Sequence, residues 1–162
     1  MARSEFLTQL SRVGRVTIDT CICVYHLDVV ASPERRRLVA QLFDLGLRGS
    51  VEIDLPGIAR MEMMVGPLKK VDQLGIVKIR RLIGQPGVRP TPITEDVLMK
   101  AAEVRAETMM KAPDALVAAS AILHGSELIV GNDGDFKHFE GLSARTRGLP
   151  QFIRIDDYVG VR

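Results

Sequence analysis

At 162 residues the chain is long enough for one domain with a proper core, and its 46% apolar and 26% charged shares are those of a globular protein. A net charge of +2 gives little whole-molecule attraction for nucleic acid, and 4% aromatics without tryptophan argue against base stacking as the main route to it. No apolar run approaches the ~20 residues that span a bilayer, and the start, with Arg3, Ser4 and Glu5, lacks a signal-peptide core; a cytoplasmic protein without membrane contact is expected.

Residues 1–14 read as an N-terminal extension with a helical turn around Phe6, Leu7 and Leu10. A first strand over 15–18 ends at Asp19, and its apolar continuation, Cys21 to Leu27, is expected to be buried. Pro33 opens a helix through Leu47, with Leu38, Leu42 and Leu45 spaced along one face. Ser50 to Leu55 alternates apolar and polar residues as a strand does, and Pro56 starts a helix carrying Met61, Glu62, Met63 and Met64. Lys69 to Leu82 reads as one basic, amphipathic helix, followed by a proline-rich loop from Gly84 to Pro92.

Thr94 caps a long helix in which Val97, Ala101, Val104 and Thr108 recur at helical spacing. Asp114 to Leu123 is apolar nearly all round, which predicts a central, fully buried helix stopped by Gly125. Strands are expected at 127–131 and at Phe152 to Ile155. Strands alternating with helices predict an α/β fold: a three-layer α/β/α sandwich with a mostly parallel central sheet, as one domain over residues 1–162.

The only cysteines, Cys21 and Cys23, are too close in sequence for a direct disulfide, and no further cysteine or suitably spaced histidine completes a zinc site. They read as small buried apolar groups in a reducing compartment.

Four acids stand at turning points of the chain. Asp19 and Asp133 follow predicted strands, and ligands in open parallel sheets bind outside the strands' carboxyl ends. Asp114 lies in the first turn of its helix, a place where an acid also stabilises by ~0.3–1 kcal/mol with no function. Glu62 is flanked by methionines, and a desolvated carboxylate needs a partner. Two carboxylates 4 Å apart repel by about 4 kcal/mol at an effective dielectric near 20. Gathering several therefore raises their pKa values unless a cation neutralises them. Hard oxygen donors select Mg²⁺ or Mn²⁺, ions that activate water and stabilise the leaving oxygen of a phosphodiester. Asp54, just before Pro56, reads as a cap or turn residue, and Asp156–Asp157 as turn acids.

These residues also carry a resemblance. Val16-Thr17-Ile18-Asp19-Thr20 resembles the opening motif of PIN-domain ribonucleases, and Met61-Glu62-Met63-Met64-Val65-Gly66 resembles their helix-borne glutamate. Asp114-Ala115-Leu116-Val117-Ala118-Ala119 with His124-Gly125 is similar to their central helix, and Gly131-Asn132-Asp133-Gly134-Asp135-Phe136 to their strand-end element. The resemblance implies a PIN-like fold and a Mg²⁺- or Mn²⁺-dependent endoribonuclease of the VapC toxin type. Such a protein cuts RNA, forms a homodimer and is held inactive by a small antitoxin.

Carried over, Asp19, Glu62, Asp114 and Asp133 are the catalytic, metal-binding carboxylates. Asp135 supports them or is itself the fourth ligand, and Thr20 and Asn132 orient the acids or the ion's waters. Cys21 stands where the family often has Asn, Pro56 where a hydroxyl is common and Gly131 where Thr is frequent, while the N-terminal extension is long for such toxins. The alternatives are a PIN-like RNA- or protein-binding module without catalysis, and a housekeeping RNA-processing nuclease. A haloacid-dehalogenase-like phosphatase is set aside, because Cys21 occupies the position where its mechanism needs a second aspartate.

Overall fold

The computed structural model describes residues 2–27 and 31–160, with side chains from Glu5 onward. Five short runs pair as parallel strands: β1 Arg15–Ile18, β2 Glu52–Pro56, β3 Val88–Thr91, β4 Leu128–Gly131 and β5 Gln151–Arg154. Their order is β3-β2-β1-β4-β5, so the chain leaves β1 to one side and later returns on the other to place β4. The point of divergence lies at the carboxyl ends of β1 and β4, where an open sheet leaves a crevice for a ligand.

Helices cover both faces, each burying the apolar stripe that its sequence supplies. On one face lie α1 Ala2–Leu10, α2 Thr20–Leu27, α3 Pro33–Leu47 and α5 Gln73–Ile83. Their buried residues, among them Ile22, Leu42, Phe43 and Ile79, pack on Val16, Ile18, Ile53, Leu55 and Val130 of the sheet. On the other lie α6 Glu95–Thr108, α7 Ala112–Leu123 and α8 Phe136–Arg145, packed on Ile129 and Phe152. Helix α4, Gly57–Lys69, sends Ala59 and Met63 to the first core and Ile58 to the second. This is the expected three-layer α/β/α sandwich, with every strand pair among the described residues parallel. The N-terminal extension packs into the first core: Phe6 and Leu10 are fully buried, and the Phe6 ring lies 5.0 Å from that of Tyr158.

Several local expectations are corrected. Cys21 to Leu27 does not continue the first strand but belongs to α2, whose first turn closes when the Ile22 amide donates to the Asp19 carbonyl at 3.1 Å. Lys69 to Leu82 is not one helix. Val71 turns left-handed at φ 54°, and Asp72 then caps α5 by accepting from the Gly75 amide at 2.9 Å. The proline-rich segment after Gly84 contains β3; Pro90 is tolerated because β3 pairs only with β2 and its free edge needs no donor. Helix α8 is not among the expected elements, although Phe136, Phe139 and Leu142 are spaced for one buried face.

Asp54 is neither cap nor turn. It is fully buried inside β2, directly opposite Arg89 of β3, whose Nε and Nη2 donate to its two carboxylate oxygens at 2.7 and 2.9 Å. The Ser126 hydroxyl adds a longer bond at 3.4 Å. With its charge matched in this way, Asp54 is a structural acid away from the carboxyl-end crevice.

Candidate active site

Four elements deliver carboxylates to one cavity of about 440 Å³ at the carboxyl ends of β1 and β4. Asp19 enters from the β1–α2 junction, Glu62 from the middle of α4, Asp114 from the first turn of α7 and Asp133 from the turn after β4. The wall also includes Thr20, Cys21, Val24, Tyr25, Lys111 and Pro113.

Asp19 is held firmly. Its amide donates to the Val130 carbonyl at 3.0 Å, extending the β1–β4 pairing by one residue. One carboxylate oxygen accepts from the Thr20 amide at 2.8 Å, and the other from the Cys21 thiol at 3.6 Å. Cys21 therefore supplies a weak donor to the acid. Burial pushes the Cys21 thiol well above its usual range, so it stays protonated and is not a nucleophile. The Thr20 hydroxyl donates a short hydrogen bond to Glu62, linking the second acid to the first.

Close approach also explains Gly131. A Cβ there would come within 2.9 Å of the Phe152 ring and 3.2 Å of the Asp19 Cβ, so no side chain fits between β4 and Asp19 without displacing one of them.

Asp114, Asp133 and Asp135 come closest together: one carboxylate oxygen from each lies within 4.8 Å of the other two. Asp133 folds back to accept from the Asp135 amide at 2.9 Å, which sets both acids on one tight turn. The electrostatic consequence is marked. Burial, then the charges of Asp133, Asp19 and Asp135, push Asp114 up to about 7, with Lys111 pulling the other way. Asp19 is raised as well, by burial first and by Glu62 and Asp133 to a lesser degree.

The Asn132 side chain hydrogen-bonds none of the four cavity acids. Its Nδ2 donates to the Tyr25 hydroxyl at 3.2 Å and to Asp156 at 2.9 Å, while Arg35 forks onto Asp156 with two bonds of 2.7 Å and lies over the Tyr25 ring at 5.2 Å. This bracket fixes the residue before Asp133 and holds Tyr25 in the cavity wall. Sequence motifs point to neither Tyr25 nor Lys111. Lys111 is the one cation lining the cavity among the described residues, and its Nζ lies 3.3 Å from Asp135 Oδ2. A lysine three residues before the helix-starting Asp114 is the only available signal.

The PIN domain model matches residues 16–142. The chain belongs to the PIN domain family. The PIN match spans all five acids, whereas α1 and β5 lie outside it. Among solved structures the chain is similar to VapBC2 from Rickettsia felis, determined bound to a DNA fragment from their promoter. The TM-score there is 0.65 and the identity 18%, covering 86% of this chain and 98% of that one. It is similar too to FitAcB from Neisseria gonorrhoeae, at TM-score 0.62 and 20% identity over 86% and 97% of the two chains. VapBC from Salmonella typhimurium, solved bound to DNA, gives TM-score 0.61 and 16% identity over 88% and 98%. At these identities the likeness is one of PIN fold. No curated protein matches the chain.

The donor set suits a hard divalent cation. Every anionic group in the cavity offers oxygen, three acids approach within bridging distance, and one exposed ammonium opposes several carboxylates. The raised pKa values of Asp114 and Asp19 mark charge that the protein alone leaves uncompensated.

Proposed function

We propose that this PIN protein is a Mg²⁺- or Mn²⁺-dependent endoribonuclease acting as the toxin of a toxin–antitoxin pair. The observation that carries this reading is the convergence of Asp19, Glu62, Asp114 and Asp133, from four separate elements, on one cavity at the sheet's switch point. These four would hold the ion, with Asp135 the neighbouring donor beside Asp114 and Asp133. A hard divalent cation supplies Lewis-acid polarisation of a phosphodiester and eases ionisation of water.

The chain's own residues supply position and charge. Thr20 and Cys21 fix the rotamer of Asp19, and the Thr20 hydroxyl fixes Glu62. Tyr25 is held by Arg35 and Asn132 as part of the wall against which a nucleotide would rest. The one thiol in the wall, Cys21, is pushed up by burial and is a poor nucleophile. No histidine or serine among the described residues lines the cavity, and its one aliphatic hydroxyl, Thr20, is taken up in orienting Glu62, which favours attack by water over a covalent intermediate.

Toxin–antitoxin complexes among the similar folds support the biological role, one of them from Klebsiella pneumoniae at 21% identity. A small antitoxin and a second copy of the chain are the proposed protein partners. The exposed stripe Met61, Val65 and Leu68 on α4, at helical spacing, supports a surface that needs covering. The test is cleavage of single-stranded RNA by the purified protein with Mn²⁺, with a chelator, and by Asp114→Asn. Cleavage restricted to the native protein with Mn²⁺ is expected. Binding without cleavage under all conditions would favour the non-cutting module.

A further inference from the structure

Lys111 occupies the position that caps α7, yet its side chain makes no capping hydrogen bond. It reaches instead to Asp135, 24 residues on in the chain, and leaves its side chain 73% exposed. An ion pair that exposed is weakly held and exchanges readily. Its partner is one of the three acids whose oxygens lie within 4.8 Å of one another, and Asp133 and Asp114 also act on the ammonium. A single positive charge beside this group cannot balance it. A divalent cation entering between Asp114, Asp133 and Asp135 would compete for the Asp135 carboxylate and repel the ammonium. Lys111 then remains anchored at the cavity rim by Pro113 and the start of α7, with a free charge directed towards the cavity mouth.

We propose that Lys111 is a displaceable counter-ion: it pairs with Asp135 in the metal-free protein, is released when the cation binds, and then engages a backbone phosphate of the RNA. This rests on the reading of the cavity as the cation site of a ribonuclease, and it deepens that reading by naming the residue that couples ion to substrate. Lysine and cation compete for Asp135, while lysine and RNA cooperate, so cation and RNA each strengthen the other's binding. A lysine that stayed paired with Asp135 when the ion bound would give no such coupling between ion and RNA.

The two roles predict changes of opposite sign on one substitution. Mn²⁺ is titrated by calorimetry into the native protein, Lys111→Ala and Lys111→Arg. Binding of a short single-stranded RNA is then followed by fluorescence anisotropy in Ca²⁺ across a salt series, with Ca²⁺ as the oxygen-seeking probe ion. Lys111→Ala should bind Mn²⁺ roughly three- to tenfold more tightly, through loss of a nearby like charge. It should bind RNA more weakly, with the slope of log affinity against log salt reduced by ~0.7, the signature of one lost phosphate contact on a single strand. Lys111→Arg keeps the charge and should restore both values. Unchanged Mn²⁺ binding or unchanged RNA binding in Lys111→Ala would overturn the proposal, as would weakened Mn²⁺ binding. A native protein that binds neither Mn²⁺ nor RNA would overturn the ribonuclease reading itself.

Discussion

Replacing Asp114 by asparagine should make the metal-free protein more stable at alkaline pH, while removing its response to the cation. In the folded chain Asp114 titrates at about 7, against an ordinary value of 3.8, because burial and the charges of Asp133, Asp19 and Asp135 disfavour its ionised form. The folded state therefore binds this proton more tightly than the unfolded state does. Stability from this group is fully present below the unfolded value, falls as pH rises through the window from 3.8 to about 7, and is lost above it. At ~1.4 kcal/mol per pH unit the full displacement corresponds to on the order of 4 kcal/mol, an upper bound because side chains and water relax around the charge. The substituted amide carries no charge and fills nearly the same volume.

Urea unfolding in a chelating buffer, at about pH 5 and about pH 8, measures this as the difference between the two proteins. That difference should grow with pH in favour of Asp114→Asn. Asp19, which is also raised, bends the native curve in the same direction, so only the difference isolates Asp114. An Asp114→Asn protein no more stable than native at the higher pH, with a difference indifferent to pH, would refute the reasoning.

The structure makes two further predictions away from Asp114. Arg89→Ala should destabilise the protein by about 3 kcal/mol, since it strands the fully buried Asp54 without its partner; the expected loss sits at the lower end of the buried-pair range because Arg89 is itself partly exposed. The urea midpoint checks it, and a loss below about 1 kcal/mol, the worth of a surface pair, would mean that Asp54 is solvated or otherwise matched. Thr20→Val should weaken Mn²⁺ binding by roughly 10–100-fold with little change in metal-free stability, because the hydroxyl that orients Glu62 is lost while the volume is kept. Calorimetry decides it, and native-like Mn²⁺ affinity would mean that the Thr20 hydroxyl does not set Glu62 for the ion.

Much of this arrangement is legible in the chain because it is local. Asp19 and Asp133 follow apolar runs that pair as β1 and β4, and Asp114 opens the least polar helix of the protein, so their meeting at the sheet's carboxyl edge follows from the α/β alternation. What escapes such a reading is set by long-range packing. Pro90 disguises β3, because only its edge position excuses the missing donor. Asp54 looks like a turn acid because its partner, Arg89, lies on that same concealed strand. Lys111 reaches Asp135 across a gap that spans all of α7 and β4, and periodicity carries no trace of such a contact. The break at Val71 is visible only as the capping signal of Asp72, overshadowed by the continuous basic, apolar pattern around it.

The central claim, that these carboxylates form a divalent-cation site, is tested most directly by thermal unfolding with and without Mn²⁺, on the native protein and on Asp19→Asn/Asp114→Asn. With Mn²⁺ at about 100 times its dissociation constant, the native protein should gain ~2.7 kcal/mol and the double variant nothing. An equal gain in both proteins, or none in either, would contradict the account.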